Sequence, residues 1–187
     1  MSNNFENAVR FALKAHKGQK RKDGSSYILH PLEVAVIAGT MTRDEDVLAA
    51  AVLHDTVEDT SVTADDILEN FDDRIAYLVA SETEDKRPQM SSSESWKIRK
   101  VESLEELKNC NDRDVRVIWL ADKLSNLRSL YRDFLKQGLS VFEKFNEKDP
   151  REQMWYHSKV LEYTSELSNY AAYKEYKNYF DLIFKGV

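Results

Sequence analysis

The segment from His54 to Asp59, HDTVED, concentrates four side chains that can bind a metal ion or move a proton. It follows the apolar run 47–53, which has the composition of a buried helix. If that helix continues through the segment, His54 and Glu58 lie on one face, four residues apart. Asp55 and Asp59 then form a second pair with the same spacing. Burying these ionisable groups is costly unless something compensates, and a divalent cation does so. The segment therefore predicts a metal-dependent enzyme.

Two further side chains extend this set. His30 and Asp122 each lie in or at the end of a predicted helix and are flanked by apolar residues that should face the core. Together with His54 and Asp55 they make two imidazoles and two carboxylates, a donor set that suits Mn²⁺, Fe²⁺ or Zn²⁺ better than Ca²⁺. Such a set leaves positions open for water and a phosphate oxygen. A lone histidine on an apolar face is more often a hydrogen-bonded core residue, and that alternative stays open for His30.

The remaining sequence predicts helices that would position these residues. Only 5 Gly and 3 Pro occur in 187 residues, too few turns for a many-stranded β protein. Cap signals and helical periodicity predict roughly eight to ten helices, which begin near residues 4, 30, 44, 63, 72, 94, 112, 151 and 170. No strand pattern or internal repeat competes with them. We therefore expect one compact all-α helical bundle, a single domain over residues 1–187.

Two polar segments interrupt the helices. Residues 17–29 form a basic loop directly before His30, with Arg21 and Lys22 at its centre. A run of charged residues usually forms a solvent-exposed surface. Here the run directly precedes His30, which favours anion binding, since arginine can hold a phosphate group bidentately. Residues 83–95 contain a proline and three consecutive serines, which predicts a long loop with a functional role.

Composition excludes several classes of protein. The net charge of −6 argues against a sequence-independent grip on nucleic acid, and the single Cys110 excludes a disulfide framework. No apolar run approaches the ~20 residues that cross a bilayer, and the N-terminus lacks a signal-peptide pattern. We therefore expect a soluble cytoplasmic protein with no membrane partner. The tyrosine-rich end, residues 163–179, predicts helix packing or a homodimer contact.

Three segments carry a resemblance to a known family. They are residues 21–31 (RKDGSSYILHP), 51–60 (AVLHDTVEDT) and 120–128 (LADKLSNLR). In this order they resemble the signature of HD-domain metal-dependent phosphohydrolases. More narrowly, they resemble the hydrolase domain of the RelA/SpoT family and its stand-alone form, the small alarmone hydrolases. The His-Asp dipeptide alone is a weak signal, whereas the ordered set followed by Glu-Asp is specific.

The resemblance assigns roles position by position. It implies that His30, His54, Asp55 and Asp122 hold the metal ion, with Mn²⁺ the expected ion. Glu58 and Asp59 match the family's catalytic acidic pair, which positions or deprotonates the attacking water. The nucleotide-contacting positions of the family correspond to Arg21, Lys22 and Asn126, and Tyr27 is expected either to wall the base pocket or to pack.

The implied reaction is hydrolysis of (p)ppGpp, guanosine 3′,5′-bis(diphosphate) or its pentaphosphate, to GDP or GTP and pyrophosphate. Two alternatives stay open. The first keeps the HD chemistry but acts on another nucleotide or a phosphate ester. The second is a non-catalytic helical domain in which the acidic cluster is structural or the metal only stabilises. The second is disfavoured because all four ligand positions and both acidic positions are filled.

Overall fold

A computed structural model describes residues 3–187, and the helices in this part of the chain account for the whole architecture. The helices are α1 (Asn4–Ala15), α2 (Leu29–Ala38), α3 (Glu45–Leu53), α4 (Thr56–Asp59), α5 (Ala64–Asn70), α6 (Asp73–Ala80), α7 (Ser92–Asn109), α8 (Arg113–Gln137), α9 (Pro150–Tyr163) and α10 (Ala171–Phe184). Two 3₁₀ segments, Gly138–Lys144 and Ser165–Leu167, complete them. No strand forms within residues 3–187, so the predicted all-α class is confirmed.

Short polar side chains set the helix starts, as the sequence predicted. The carboxylates of Asp44, Asp72 and Asp112 each accept a hydrogen bond from a backbone N–H in the first turn of the following helix. Thr63 makes a capping box with the third residue of α5, which satisfies two otherwise unpaired N–H groups. At the other end of α8, Gly138 adopts φ 57°, a conformation that glycine reaches without steric cost.

Helix α3 lies at the centre of the core. Its residues Ala49–Leu53 are fully buried, and the helix packs against α1, α2, α6 and α8. Helix α8 packs in turn against α2 and α10. His30 is the second residue of α2, His54 directly follows α3, and Asp122 lies midway along α8. The mutual packing of α2, α3 and α8 therefore brings these three residues to one place.

The expectation of one continuous helix through the HDTVED segment is wrong. Helix α3 ends at Leu53 and α4 begins at Thr56, so His54 and Asp55 lie in the turn between them. The Thr56 hydroxyl donates to the Leu53 carbonyl at 2.6 Å and so satisfies an acceptor at the end of α3. The Asp59 N–H still donates to the Asp55 carbonyl at 2.8 Å. The break gives the His-Asp pair its own orientation, separate from the acidic pair that follows.

The loop expected over residues 83–95 is shorter than predicted. Helix α7 begins at Ser92, because Ser91 caps it in a capping box with Glu94. The serine run is therefore a helix start rather than a flexible linker. None of the helices in the described chain is long and apolar enough to span a membrane.

Candidate metal centre

The four predicted ligands converge. Ligand atoms of His30, His54 and Asp122 lie within 4.8 Å of one another, and all three residues are buried. Asp122 Oδ1 lies 3.0 Å from His30 Nε2 and 3.6 Å from His54 Nε2. Asp55 Oδ2 lies 3.5 Å from His30 Nε2 and 3.1 Å from His54 Nε2. Two helices and the turn after α3 thus bring two imidazole nitrogens and two carboxylate oxygens close together.

The hydrogen bonds of the two imidazoles fit metal binding. His54 Nδ1 lies 2.9 Å from the Ala51 carbonyl oxygen, which only accepts, so Nδ1 carries the proton. Its Nε2 is buried without a hydrogen-bond partner. His30 Nδ1 lies 2.9 Å from Ser125 Oγ, which leaves its Nε2 directed at the same carboxylates. A ligating histidine has this arrangement, in which the second nitrogen donates to a neighbour and fixes the ring.

The electrostatics of the cluster favour a bound cation. Burial on its own lowers the pKa of His54, but the charges of Asp55 and Asp122 outweigh it and raise that pKa well above its usual range. Burial raises the pKa of Asp122, yet the Lys123 ammonium and the two neighbouring histidines hold it well below its usual range. The carboxylates therefore stay ionised. Ionised carboxylates beside two imidazoles are a donor set that divalent transition metals fit.

The predicted catalytic pair divides between two environments. Glu58 lines the same cavity as the cluster, and burial followed by the charges of Asp55 and Glu84 raises the pKa of its carboxyl group. Asp59 lies outside that cavity, where its side chain accepts hydrogen bonds from Tyr27 and Lys86. Glu58 is thus the member of the pair that can face a substrate and a water molecule.

Tyr27 joins the metal centre to Asp59. Its hydroxyl lies 2.6 Å from Asp55 Oδ2 and 2.5 Å from Asp59 Oδ2, so its one proton can serve either carboxylate. Burial and the charges of Asp55 and Asp59 raise the pKa of Tyr27 far above its usual range, which keeps the hydroxyl protonated. Its ring stacks on His16, with centroids 4.8 Å apart. The expected contact of Tyr27 with substrate stays a prediction.

The basic loop lies against the cluster. Arg21 donates to the Asn126 side-chain oxygen at 3.1 Å, and the Asn126 amide donates to Asp122 Oδ1 at 2.7 Å. Lys22 donates to the Lys144 carbonyl at 3.1 Å, and its ammonium lies 4.6 Å from the centre of the Phe145 ring. All three predicted nucleotide-binding residues line the cavity. Their direct contact with a nucleotide stays a prediction.

The cavity has a volume of about 530 Å³, and helices α7 and α9 supply its far lining. In α7, Arg99 and Lys100 donate to the Glu84 carboxylate at 2.8 and 2.7 Å. In α9, Tyr156 and His157 are buried and line the same space. The sequence predicted a functional role for residues 83–95 but indicated no particular site residue in α7 or α9. Position in the folded chain, not residue pattern, brings these groups to the site.

Glu82 also lines the cavity, and its Oε1 is buried without a hydrogen-bond partner. Burial raises the pKa of Glu82 well above its usual range, although the Lys123 charge acts in the opposite direction. Burial therefore favours the protonated form of this carboxyl group. It lies shortly after the end of α6, in the segment that leads to α7.

Comparison with known proteins places the chain in a family. The HD domain family matches residues 8–150. Over 127 residues the chain is 36% identical to the guanosine-3′,5′-bis(diphosphate) 3′-pyrophosphohydrolase of Aquifex aeolicus (strain VF5), and over 128 residues it is 37% identical to the GTP pyrophosphokinase of Myxococcus xanthus. Each alignment covers about two thirds of this chain, 68% and 67%, but only 18% and 17% of those relatives. The chain thus spans less than a fifth of their length.

Solved structures match over nearly the whole chain. A metazoan ortholog of SpoT, described as hydrolysing ppGpp and acting in starvation responses, superposes with a TM-score of 0.73 at 25% identity. That alignment covers 99% of this chain and 96% of the other. The structure of lmo0812 from Listeria monocytogenes EGD-e gives a TM-score of 0.70 at 34% identity, covering 87% and 98%. The chain belongs to the HD domain family, and the resemblance to RelA/SpoT hydrolases is confirmed.

Proposed function

We propose that the chain is a metal-dependent pyrophosphohydrolase that converts (p)ppGpp into GDP or GTP and pyrophosphate. The observation that carries the proposal is the convergence of His30, His54, Asp55 and Asp122 in a cavity that Glu58 also lines. The named activities of the Aquifex relative and of the metazoan SpoT ortholog support the choice of substrate. Mn²⁺ is the proposed ion, and the cytoplasm the proposed location.

The four ligands would hold the ion through the Nε2 atoms of His30 and His54 and through the carboxylates of Asp55 and Asp122. When bound, a divalent transition metal supplies Lewis-acid polarisation of a phosphoryl oxygen and lowers the pKa of water. The protein's own task is to fix the direction of these donors. The buried Nδ1 hydrogen bonds of both histidines do so before any substrate arrives.

Glu58 would accept the proton of the attacking water. Its raised pKa brings a carboxylate closer to the range in which it can act as a base near neutral pH. The water oxygen forms a bond to the phosphorus that carries the 3′ oxygen, and the bond between that phosphorus and O3′ breaks. The products are pyrophosphate and a nucleotide whose 3′ oxygen takes up a proton from the solvent, while Glu58 releases to the solvent the proton that it accepted. Asp59, through Tyr27, would steady the metal ligand Asp55 rather than touch the water.

The basic loop would hold the nucleotide. The guanidinium of Arg21 and the ammonium of Lys22 lie at the cavity beside Lys144, and together they offset several phosphate charges. Burial and the neighbouring cations Lys144 and Arg21 lower the pKa of Lys22, a sign of concentrated positive charge that an anion would relieve. Asn126 would couple Arg21 to the ligand Asp122 and thereby align the substrate with the ion.

A hydrolysis panel tests the proposal. The purified protein with Mn²⁺ is offered ppGpp, pppGpp, GTP, ATP and a phosphodiester, and pyrophosphate and nucleotide products are measured. Release of pyrophosphate from the first two alone is the expected result. Release of phosphate from another nucleotide would replace the proposed substrate while keeping the chemistry. No hydrolysis of any compound, with metal shown to be bound, would overturn the enzymatic function.

A further inference from the structure

We infer that a chain of four side chains positions the His30 imidazole for metal binding and makes the metal affinity depend on helix α10. From the imidazole outward, the chain consists of Ser125, Glu33, Arg128 and Glu175. Helix α10 lies beyond residues 8–150, the part that the HD domain family matches. The inference rests on the proposed metal-dependent function and names residues that this function alone does not assign.

The first link fixes the protonation of the ring. Ser125 Oγ donates to Glu33 Oε2 at 2.8 Å, and a hydroxyl group has only one proton to donate. At its other contact, 2.9 Å from His30 Nδ1, the same oxygen must therefore accept. Nδ1 carries the proton, and the lone pair of Nε2 faces the Asp55 and Asp122 carboxylates. The serine thus selects the tautomer that a metal ligand needs.

The next links hold the serine's acceptor in place. Arg128 donates through Nη1 to Glu33 Oε1 at 3.0 Å, so the two Glu33 oxygens are divided between the serine and the arginine. The remaining face of the guanidinium forms a bidentate pair with Glu175, in which Nε and Nη2 each lie 2.8 Å from a carboxylate oxygen. Bidentate pairs constrain the guanidinium plane. Glu175 on α10 thereby fixes the direction from which Arg128 reaches Glu33.

Water cannot easily replace the innermost hydrogen bonds of this series of side chains, because the residues that make them are buried. Ser125 is 2% exposed and His30 is 4% exposed, so water has little access to Nδ1. Without the hydroxyl, the ring loses both the partner that orients it and the reason to keep the proton on Nδ1. The outer pair is more accessible, since Arg128 and Glu175 side chains are 28% and 35% exposed. The effect of a substitution should therefore decrease from Ser125 to Glu33 to Glu175.

The test measures metal affinity on the metal-free full chain, by titration with Mn²⁺ alone and by the visible absorption of added Co²⁺. Loss of an outer hydrogen-bond partner of a ligating histidine typically weakens metal binding by about 10–100-fold. We expect Ser125→Ala to fall in that range, Glu33→Gln near its lower end, and Glu175→Gln to cost about two- to fivefold. The Co²⁺ spectrum should change in Ser125→Ala, because the donor geometry changes. Glu33→Asp should bind better than Glu33→Gln.

Two controls match these variants. Ser95→Ala removes another buried serine hydroxyl, one that has no hydrogen-bond partner. Glu166→Gln neutralises the carboxylate that pairs with Arg116, a different link between α8 and the C-terminal region. Both should keep the wild-type metal affinity. If Ser125→Ala does not fold, the comparison of Glu33→Gln with Glu33→Asp carries the test.

The outcomes separate this inference from the proposed function. Wild-type affinity and spectrum in folded Ser125→Ala, or equal affinities in both Glu33 variants and wild type, would overturn the positioning chain while leaving the hydrolase intact. Weakened affinity in the controls as well would also overturn it, since the effect would then be general. A wild-type protein that binds the metal tightly but hydrolyses nothing would reject the proposed reaction, and the graded affinities would still support the chain.

Discussion

Two buried histidines that line one cavity have opposite electrostatic surroundings. Burial acts on both in the same direction and disfavours the charged imidazole. Around His54, the carboxylates of Asp55 and Asp122 outweigh burial and raise the pKa well above its usual range. Around His157, burial and the cations Lys123 and Lys100 act together and lower the pKa to about 3. The charges of the neighbouring side chains, rather than burial, therefore decide whether the pKa of each imidazole is raised or lowered.

The difference separates a proposed metal ligand from a structural residue. His54 leaves Nε2 without a hydrogen-bond partner beside two carboxylates, whereas His157 Nδ1 pairs with the Tyr176 hydroxyl at 2.6 Å. A bound cation would stabilise the arrangement around His54, with its two carboxylates, but not the arrangement around His157. Three predictions test this contrast and a fourth tests the basic loop, in order from the largest expected effect to the smallest.

Removing a carboxylate from the His54 side should abolish the metal site. We expect Asp55→Ala to lose Mn²⁺ binding and to lower turnover by about 10³-fold or more, since the bound ion is worth several kcal/mol in the transition state. Metal content after dialysis and the rate of pyrophosphate release measure this. Asp65→Ala, an exposed carboxylate at the start of α5, is the control. Full metal content in Asp55→Ala would remove that residue from the ligand set.

Changing Glu58 should separate metal binding from proton transfer. Glu58→Gln keeps the size of the side chain but cannot accept a proton, so we expect turnover to fall by about 10²–10⁴-fold. Mn²⁺ affinity should stay within about threefold of wild type, because Glu58 lies outside the ligand cluster. Single-turnover rates and a metal titration report the two quantities. An unchanged rate would reject the role of Glu58 as the base.

His157, the second histidine of the comparison, should make the free energy of unfolding depend on pH. Its folded pKa of about 3 lies below the ordinary value of 6.5, so between these values the unfolded chain binds one more proton than the folded chain. The free energy of unfolding therefore decreases as the pH drops below 6.5. The contribution of this group is about 2 kcal/mol between pH 7 and pH 5, and above pH 7 the group has almost no effect.

Urea unfolding of wild type and His157→Gln at both pH values measures this contribution. The variant cannot titrate at this position, so its loss of stability between pH 7 and pH 5 should be smaller by about 2 kcal/mol. His16→Gln is the control, since it also removes a buried histidine. Equal losses in wild type and His157→Gln would show that the His157 imidazole is not held neutral in the folded protein.

The smallest expected effect lies in the basic loop, outside both histidine environments. Arg21→Ala should raise the KM for ppGpp about tenfold, the value of one charge-assisted hydrogen bond, and leave Mn²⁺ affinity unchanged. Lys17→Ala is the control because it removes a cation of the same loop that does not line the cavity. A KM equal to that of wild type in Arg21→Ala would remove this guanidinium from the substrate site.

The helices were largely predictable because their signals are local. Asp44, Asp72 and Asp112 cap helices at positions that the sequence indicated. The predicted helix boundaries were wrong where residues that are distant in the sequence contact one another. The turn at His54 interrupts a run that is helical by periodicity, and in this turn the proposed ligands His54 and Asp55 lie close to α8 and α2.

The sequence by itself determined the helical class and the identity of the ligand candidates, since cap residues, apolar periodicity and the ordered His, His-Asp and Asp positions are encoded locally. Only the tertiary structure decided which other groups share their cavity. It divided Glu58 from Asp59, joined Tyr27 to Asp55, and turned α7 and α9 toward the site. The reason is physical: hydrogen bonds and charge interactions act over a few ångströms in space. They join residues that lie far apart in the sequence, as in the contact of Arg21 with Asn126, 105 positions apart.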